Sequence, residues 1–245
     1  MLPNADALGP AAVTASDSAE SRPASEFLLR LCHDLRSCLR AIQPQAELLA
    51  KTGQSGPAED FEKQLGFLLD GARRLDSILG GLAGYAVAMQ IDAGSFRNCP
   101  LDGVLRNALM VLEKEHPGIG EKISRGALPR LAADPDRLQQ VFELLLCNAI
   151  ERSAGSQLHV EIGANPHQEG WLISLKDNGA AIDPASLDRA FQPLRPLNGR
   201  NSRDSGLALA TCRVIVERHG GRIWGESDGQ AGCAFYFTLP KAGDC

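Results

Sequence analysis

The chain has 245 residues, 44% of them hydrophobic and 22% charged, with a formal net charge of −5 at pH 7. That length and apolar content allow real cores and exclude disorder throughout. The acidic balance, with no Lys/Arg stripe able to follow a phosphate backbone, argues against any nucleic-acid partner. No run approaches the roughly 18 apolar residues of a membrane helix, and the N-terminus lacks the basic start and apolar core of a signal peptide. No membrane span is expected. Cysteines 32, 38, 99, 147, 212, 233 and 245 form an odd set without Cys-x-x-Cys spacing, which reads as reduced core thiols and a cytoplasmic location.

Residues 1–24 are rich in Ala, Ser, Pro and Asp without periodicity and read as a disordered lead or linker. A helix is predicted from about Ser25 to Lys51, with Ser25 as its cap and a bend expected at Pro44. Its apolar stripe is Leu28, Leu31, Leu35, Leu39, Ile42, Ala46 and Leu49, and His33 lies about 160° from the stripe's centre. His33 therefore faces water. An exposed imidazole followed at once by a carboxylate, Asp34, keeps one nitrogen protonated while the other is free to attack an electrophile such as a phosphoryl group. Taken alone, an exposed helical histidine is more often plain solvated surface.

Gly53 to Pro57 is a turn, and a second helix runs from about Ala58 to Ile91. Phe61, Leu65, Leu68, Ala72, Leu75, Leu79, Leu82, Ala86 and Met89 alternate four- and three-residue steps, the pattern of a coiled-coil seam. Residues 25–93 thus read as an antiparallel helical hairpin. A single hairpin covers both stripes poorly, so a homodimeric four-helix bundle is expected, the other solution being a hairpin docked on its own second domain.

The pattern changes after Gly94. An extended segment at Phe96–Leu101 leads to a helix (Leu101–Glu115), a hairpin around Gly126, and a helix from Pro135 to Ser153 capped by Asp134. Strands follow at Gln157–Ala164 and Gly170–Lys176 with a turn at 165–169, then a long Gly, Pro, Asn and Arg-rich stretch from Gly179 to Ser205. A helix to Arg218 and strands at Arg222–Glu226 and Cys233–Leu239 close the chain. Residues 94–241 are therefore expected to form an α/β sandwich, making the whole an α+β chain.

Four strings stand out in order: HDLRSCLRAI from His33; DPDRLQQVFELLLCNAIERS, Asp134–Ser153; DNGAAI, Asp177–Ile182; and DSGLALATCRVIVERHGGRIWGES, Asp204–Ser227. Together they resemble the histidine box, N box and two glycine boxes of two-component sensor histidine kinases, over about residues 25–240. The resemblance implies that a GHKL-type domain binds ATP with Mg²⁺, that His33 accepts the phosphoryl group with Asp34 orienting it, and that a response-regulator receiver domain takes it on. Ser37 matches the position that places water for dephosphorylating a partner. Asn148 matches the Mg²⁺-ligating asparagine, Asp177 the carboxylate meeting the adenine amino group, Gly179 the close approach to the base, and Gly206 with Leu207 the start of a phosphate-binding helix.

The departures point the other way. Ala181 and Ala208 replace glycines of the two boxes, Cys38 a proline, Leu144 a second asparagine and Glu151 a phosphate-facing lysine, while Asp204 adds a negative charge. Arg152, Arg195, Arg200 and Arg203 are candidate compensating cations, with Arg152 the one assigned to the nucleotide site. Two readings follow: an ATP-dependent protein-histidine kinase, or a catalytically impaired pseudokinase acting as a histidine phosphotransfer and docking protein.

Overall fold

The computed structural model describes residues 17–52, 58–153, 157–167, 170–195, 206–227, 229 and 231–241. Helices α1 (Asp17–Thr52) and α2 (Ala58–Ala88) pack on each other as a hairpin. Residues 17–24, expected as a disordered lead, are helical. Ala19, Glu20, Arg22 and Ala24 are good helix formers, and lengthening a formed helix is far easier than nucleating one. The helix also continues through Pro44 as a single element.

The inner stripe differs from the expected one at Leu39 and Ala46, both of which are exposed. Leu31 and Cys38 are buried and Leu35 packs beside them, while Leu39 is 44% exposed. At about 100° per residue, Cys38 falls in the sector of Leu31, Leu35 and Ile42, and a thiol behaves as a small hydrophobe there. On α2, Ile78 is buried and Leu75, Leu82 and Tyr85 pack against the same cluster. Phe61, Leu65, Leu79 and Met89 of the expected seam remain exposed. The seam is thus two faces, one used inside the hairpin and one left outward.

A five-stranded sheet runs in the order β2 (Ile123–Arg125), β4 (Val160–His167), β5 (Gly170–Asp177), β7 (Cys233–Pro240), β6 (Ile223–Glu226). The pair β2 and β4 is parallel and the other pairs are antiparallel, so the sheet is mixed. Burial alternates along β7, where Phe235 and Phe237 face the core and Tyr236 stacks outside on Trp224. Helices α3 (Leu101–Leu112), α4 (Pro135–Arg152) and α6 (Ala208–Arg218) supply the rest of that core through Leu105, Leu145, Leu146 and Ile215. Residues 165–167 of the expected turn are strand, since β4 stays paired with β5 out to His167.

The hairpin expected around Gly126 is absent. β2 joins β4, whereas β3 (Arg130–Ala133) pairs with β1 (Arg97–Pro100) in a separate two-stranded sheet. The connection is drawn to the start of α3: Asp102 accepts from Arg125 and from the Leu128 amide, and the Leu101 amide donates to Pro129. The stretch after Gly179 also contains an unexpected helix, α5 (Pro184–Ala190). Its signal was present, since Asp183 caps the Ala185 amide and Pro184 occupies the first turn.

His219 is a structural histidine that sequence reasoning missed. It stacks on Phe96, its Nε2 accepts from the Asp134 amide at 3.0 Å, and its Nδ1 donates to the Ile215 carbonyl at 2.7 Å. An acceptor at Nε2 requires the neutral ring. Burial lowers its pKa from the ordinary 6.5, against the opposing pull of the Ile215 carbonyl and Asp134. The folded state then binds fewer protons than the unfolded one below that value, so stability is full above pH ~6.5 and falls as acid drives the pH toward the folded pKa. Urea midpoints measured from pH 7.5 to 5 should fall in the parent chain, with a flatter profile in His219→Gln.

Candidate active site

His33 lies on α1 between buried Leu31 and Cys38, on the opposite face. Its side chain is 68% exposed, and its Nδ1 meets Asp34 Oδ1 at 3.2 Å. Nε2 takes no part in that contact. Ser37, four residues on, is exposed on the same face. The water-facing imidazole and its adjacent carboxylate are therefore arranged as the sequence requires.

The hairpin meets the sandwich where α2 packs on α6 and at Leu194 and Leu207. Leu194 and Leu207, which flank residues 196–205, both pack in the cluster of Leu31, Cys38 and Ile78. The Arg195 amide donates to the Gly206 carbonyl at 3.3 Å. Gly206 has φ 74, a conformation that a side chain resists, and it turns the chain into α6. Leu194 adopts φ 59 in spite of its side chain, which is nearly buried there. Arg195 is exposed, and Arg200, Arg203 and Asp204 lie outside the described residues.

A cavity of about 300 Å³ sits between α2, α4 and α6, lined among others by Gly84, Gln140, Asn148, Glu151, Leu207 and Thr211. Leu207 caps α6 without a side-chain hydrogen bond, so the helix opens on this cavity with backbone amides. The field is acidic. Cys147, also in the wall, has its thiol pushed up to about 11 by burial first and then by Glu151, Glu115 and Glu143. His33 is not part of the lining.

Asn148 and Arg152 stand one turn apart on the buried face of α4, beside the end of β5. Arg152 donates Nε to Asn148 Oδ1 at 3.0 Å and Nη1 to the Ala180 carbonyl at 2.9 Å, and Nη2 pairs with Asp177 Oδ2. The other carboxylate oxygen of Asp177 accepts from the Gly179 amide at 2.9 Å. The Arg152 and Asp177 side chains are 2% and 0% exposed. Gly179 is required by crowding, since a Cβ there would lie 3.0 Å from Asp177 Oδ1 and 3.2 Å from Arg152 Cβ. Asn148, Arg152, Asp177 and Gly179 thus converge, and Leu207 lines the cavity beside Asn148 while Gly206 precedes it in the chain, but Arg152 is spent on its neighbours.

As arranged, Asn148 and Asp177 are engaged by Arg152, so a nucleotide with its metal would have to displace that side chain. The Asn148 side-chain oxygen and one carboxylate oxygen of Asp177 both accept from Arg152, and among the described residues no group of three His, Cys, Asp or Glu side chains is placed to hold a metal by itself.

Residues 133–243, which hold α4, β5 and α6, match the family of histidine kinase-, DNA gyrase B- and HSP90-like ATPases. Cyanobacterial phytochrome A of Nostoc sp. is 31% identical over 219 residues, 89% of this chain and 28% of that protein. Adaptive-response sensory kinase SasA of Synechococcus elongatus is 31% identical over 226 residues, 88% of this chain and 58% of its own length. The structure of histidine kinase ThkA in complex with response regulator protein TrrA shares the fold, with a TM-score of 0.65 at 20% identity over 92% of this chain and 66% of that one. The matched domain and these relatives together support a two-component sensor histidine kinase family for this chain. It spans less than a third of the first of these relatives.

Proposed function

We propose that the chain is the phosphotransfer and ATP-binding part of a two-component histidine kinase, in which His33 takes a phosphoryl group from ATP and yields it to an aspartate of a response-regulator receiver domain. The observation that carries this reading is the water-facing His33 held by Asp34 on a hairpin joined to an ATPase sandwich. Asn148, Asp177, Gly179, Gly206 and Leu207 are its nucleotide residues, with Asn148 toward Mg²⁺. Because His33 lies outside the cavity, transfer requires the sandwich to move against the hairpin or to reach His33 of a second copy. The exposed Phe61, Leu65 and Leu79 on α2 and Leu39 on α1 support a homodimer formed through the hairpin. No described helix is long and apolar enough to cross a membrane, in keeping with a cytoplasmic site of action.

A second reading has its own support. The pairing of Arg152 with Asp177 and Asn148, and the acidic field at Cys147, favour a pseudokinase whose His33 receives phosphate from another phosphoprotein. Incubation with terminally labelled ATP and Mg²⁺ or Mn²⁺, followed by a receiver domain, separates the two. Acid-labile label on the chain that passes to the receiver supports the kinase. Label arriving only from a phosphorylated receiver supports the relay, and label from neither source sinks both.

A further inference from the structure

The guanidinium of Arg152 ties three elements together: the last turn of α4 through Asn148, the end of β5 through Asp177, and the following loop through Ala180. It is sealed beneath Phe235, whose ring centre lies 6.0 Å from Cζ. With Gly179 on the remaining oxygen, Asp177 has both carboxylate oxygens engaged, and the 300 Å³ cavity is lined by Asn148 but not by Asp177. These are the two side chains that the proposed function assigns to the base and to the metal.

We infer that Arg152 is an internal competitor for the nucleotide: it occupies the acceptors of Asp177 and Asn148, and a nucleoside polyphosphate enters only when its side chain swings out. The inference rests on that assignment of Asp177 and Asn148. A planar fork of donors suits this role, because it satisfies a carboxylate, an amide oxygen and a carbonyl together and leaves none of them demanding a ligand. The charge of the pair is neutralised internally, so the closed state is stable without ligand. Apparent affinity for nucleotide is then the intrinsic affinity reduced by the fraction of molecules in which Arg152 is out.

Removing the fork should therefore raise affinity, which a merely structural residue would not do. Calorimetric titration of the whole chain with Mg-ADP is the test, using the parent, Arg152→Met, which keeps the aliphatic stem, and Arg152→Lys, which keeps a charge but loses the fork. Arg152→Met should bind roughly tenfold tighter or more, with Arg152→Lys between it and the parent. Equal, measurable binding in all three overturns the competitor role while leaving the nucleotide site standing. No binding in any folded form overturns the nucleotide assignment and the inference with it. If neither variant folds by circular dichroism, the Arg152 Nε proton of the parent decides by NMR. Its protection from exchange should be lost at saturating Mg-ADP, and retained protection in the nucleotide-bound chain overturns the inference.

Discussion

Replacement of His33 by alanine should lower acid-labile phosphate on the chain by more than about a thousandfold, whether the donor is ATP or a phosphorylated receiver domain. The reason is that the imidazole is the nucleophile in both readings, and no neighbouring side chain can take its place: Asp34 forms a mixed anhydride at best, and Ser37 has no base beside it in the described contacts. Stability should change by no more than about 0.5 kcal/mol, because the ring is exposed and its contact is to the adjacent Asp34. Label counting after acid and alkali treatment, with circular dichroism as the fold control, checks both halves. Asp34→Asn is the companion variant. It should retain the acceptor but react about ten- to a hundredfold more slowly, since the ring loses the carboxylate that orients it and stabilises its developing positive charge. Undiminished label in His33→Ala would place the acceptor elsewhere.

The largest stability effect should come from Asp177→Ala. The guanidinium of Arg152 would then stay buried with no counter-charge, keeping only Asn148 and Ala180, and the Gly179 amide would lose its acceptor. Stranding one member of a buried ion pair costs about 3–5 kcal/mol, which in a chain of this size lowers the melting temperature by on the order of 10 °C. Replacing both partners, Arg152→Met with Asp177→Leu, should recover most of that loss, because neither charge is then left desolvated. A double-mutant cycle from urea unfolding measures the coupling directly. A loss below about 1 kcal/mol in Asp177→Ala would mean that the pair is open to water in solution.

Much of the fold could be read from local pattern. Asp134 followed by Pro135 marked the start of α4, and the alternation of Cys233, Phe235, Phe237 and Leu239 marked β7 with its inward face. His33 was legible for the same reason: its angle from the apolar stripe of its own helix is a local quantity, and it survived the exchange of Leu39 for Cys38 in that stripe. The hairpin around Gly126 failed because strand partners are chosen at a distance. Asp102 and Pro129 hold the connection, and Ile123 finds Val160 instead of Arg130. Helix α5 has its own local signal in Asp183-Pro184, of the same kind as the one at Asp134.

Arg152 separates the two kinds of information most clearly. Its place one turn beyond Asn148, and the place of Asp177 at a strand end, follow from order along the chain, because helical and strand periods fix which residues share a face. That carries the resemblance to the family and the set of groups proposed to surround a nucleotide. Which partner each charged group takes was settled by folding alone: α4 and β5 meet at their ends in a dry core, where an unpaired guanidinium or carboxylate is too costly to leave, so the two close on each other.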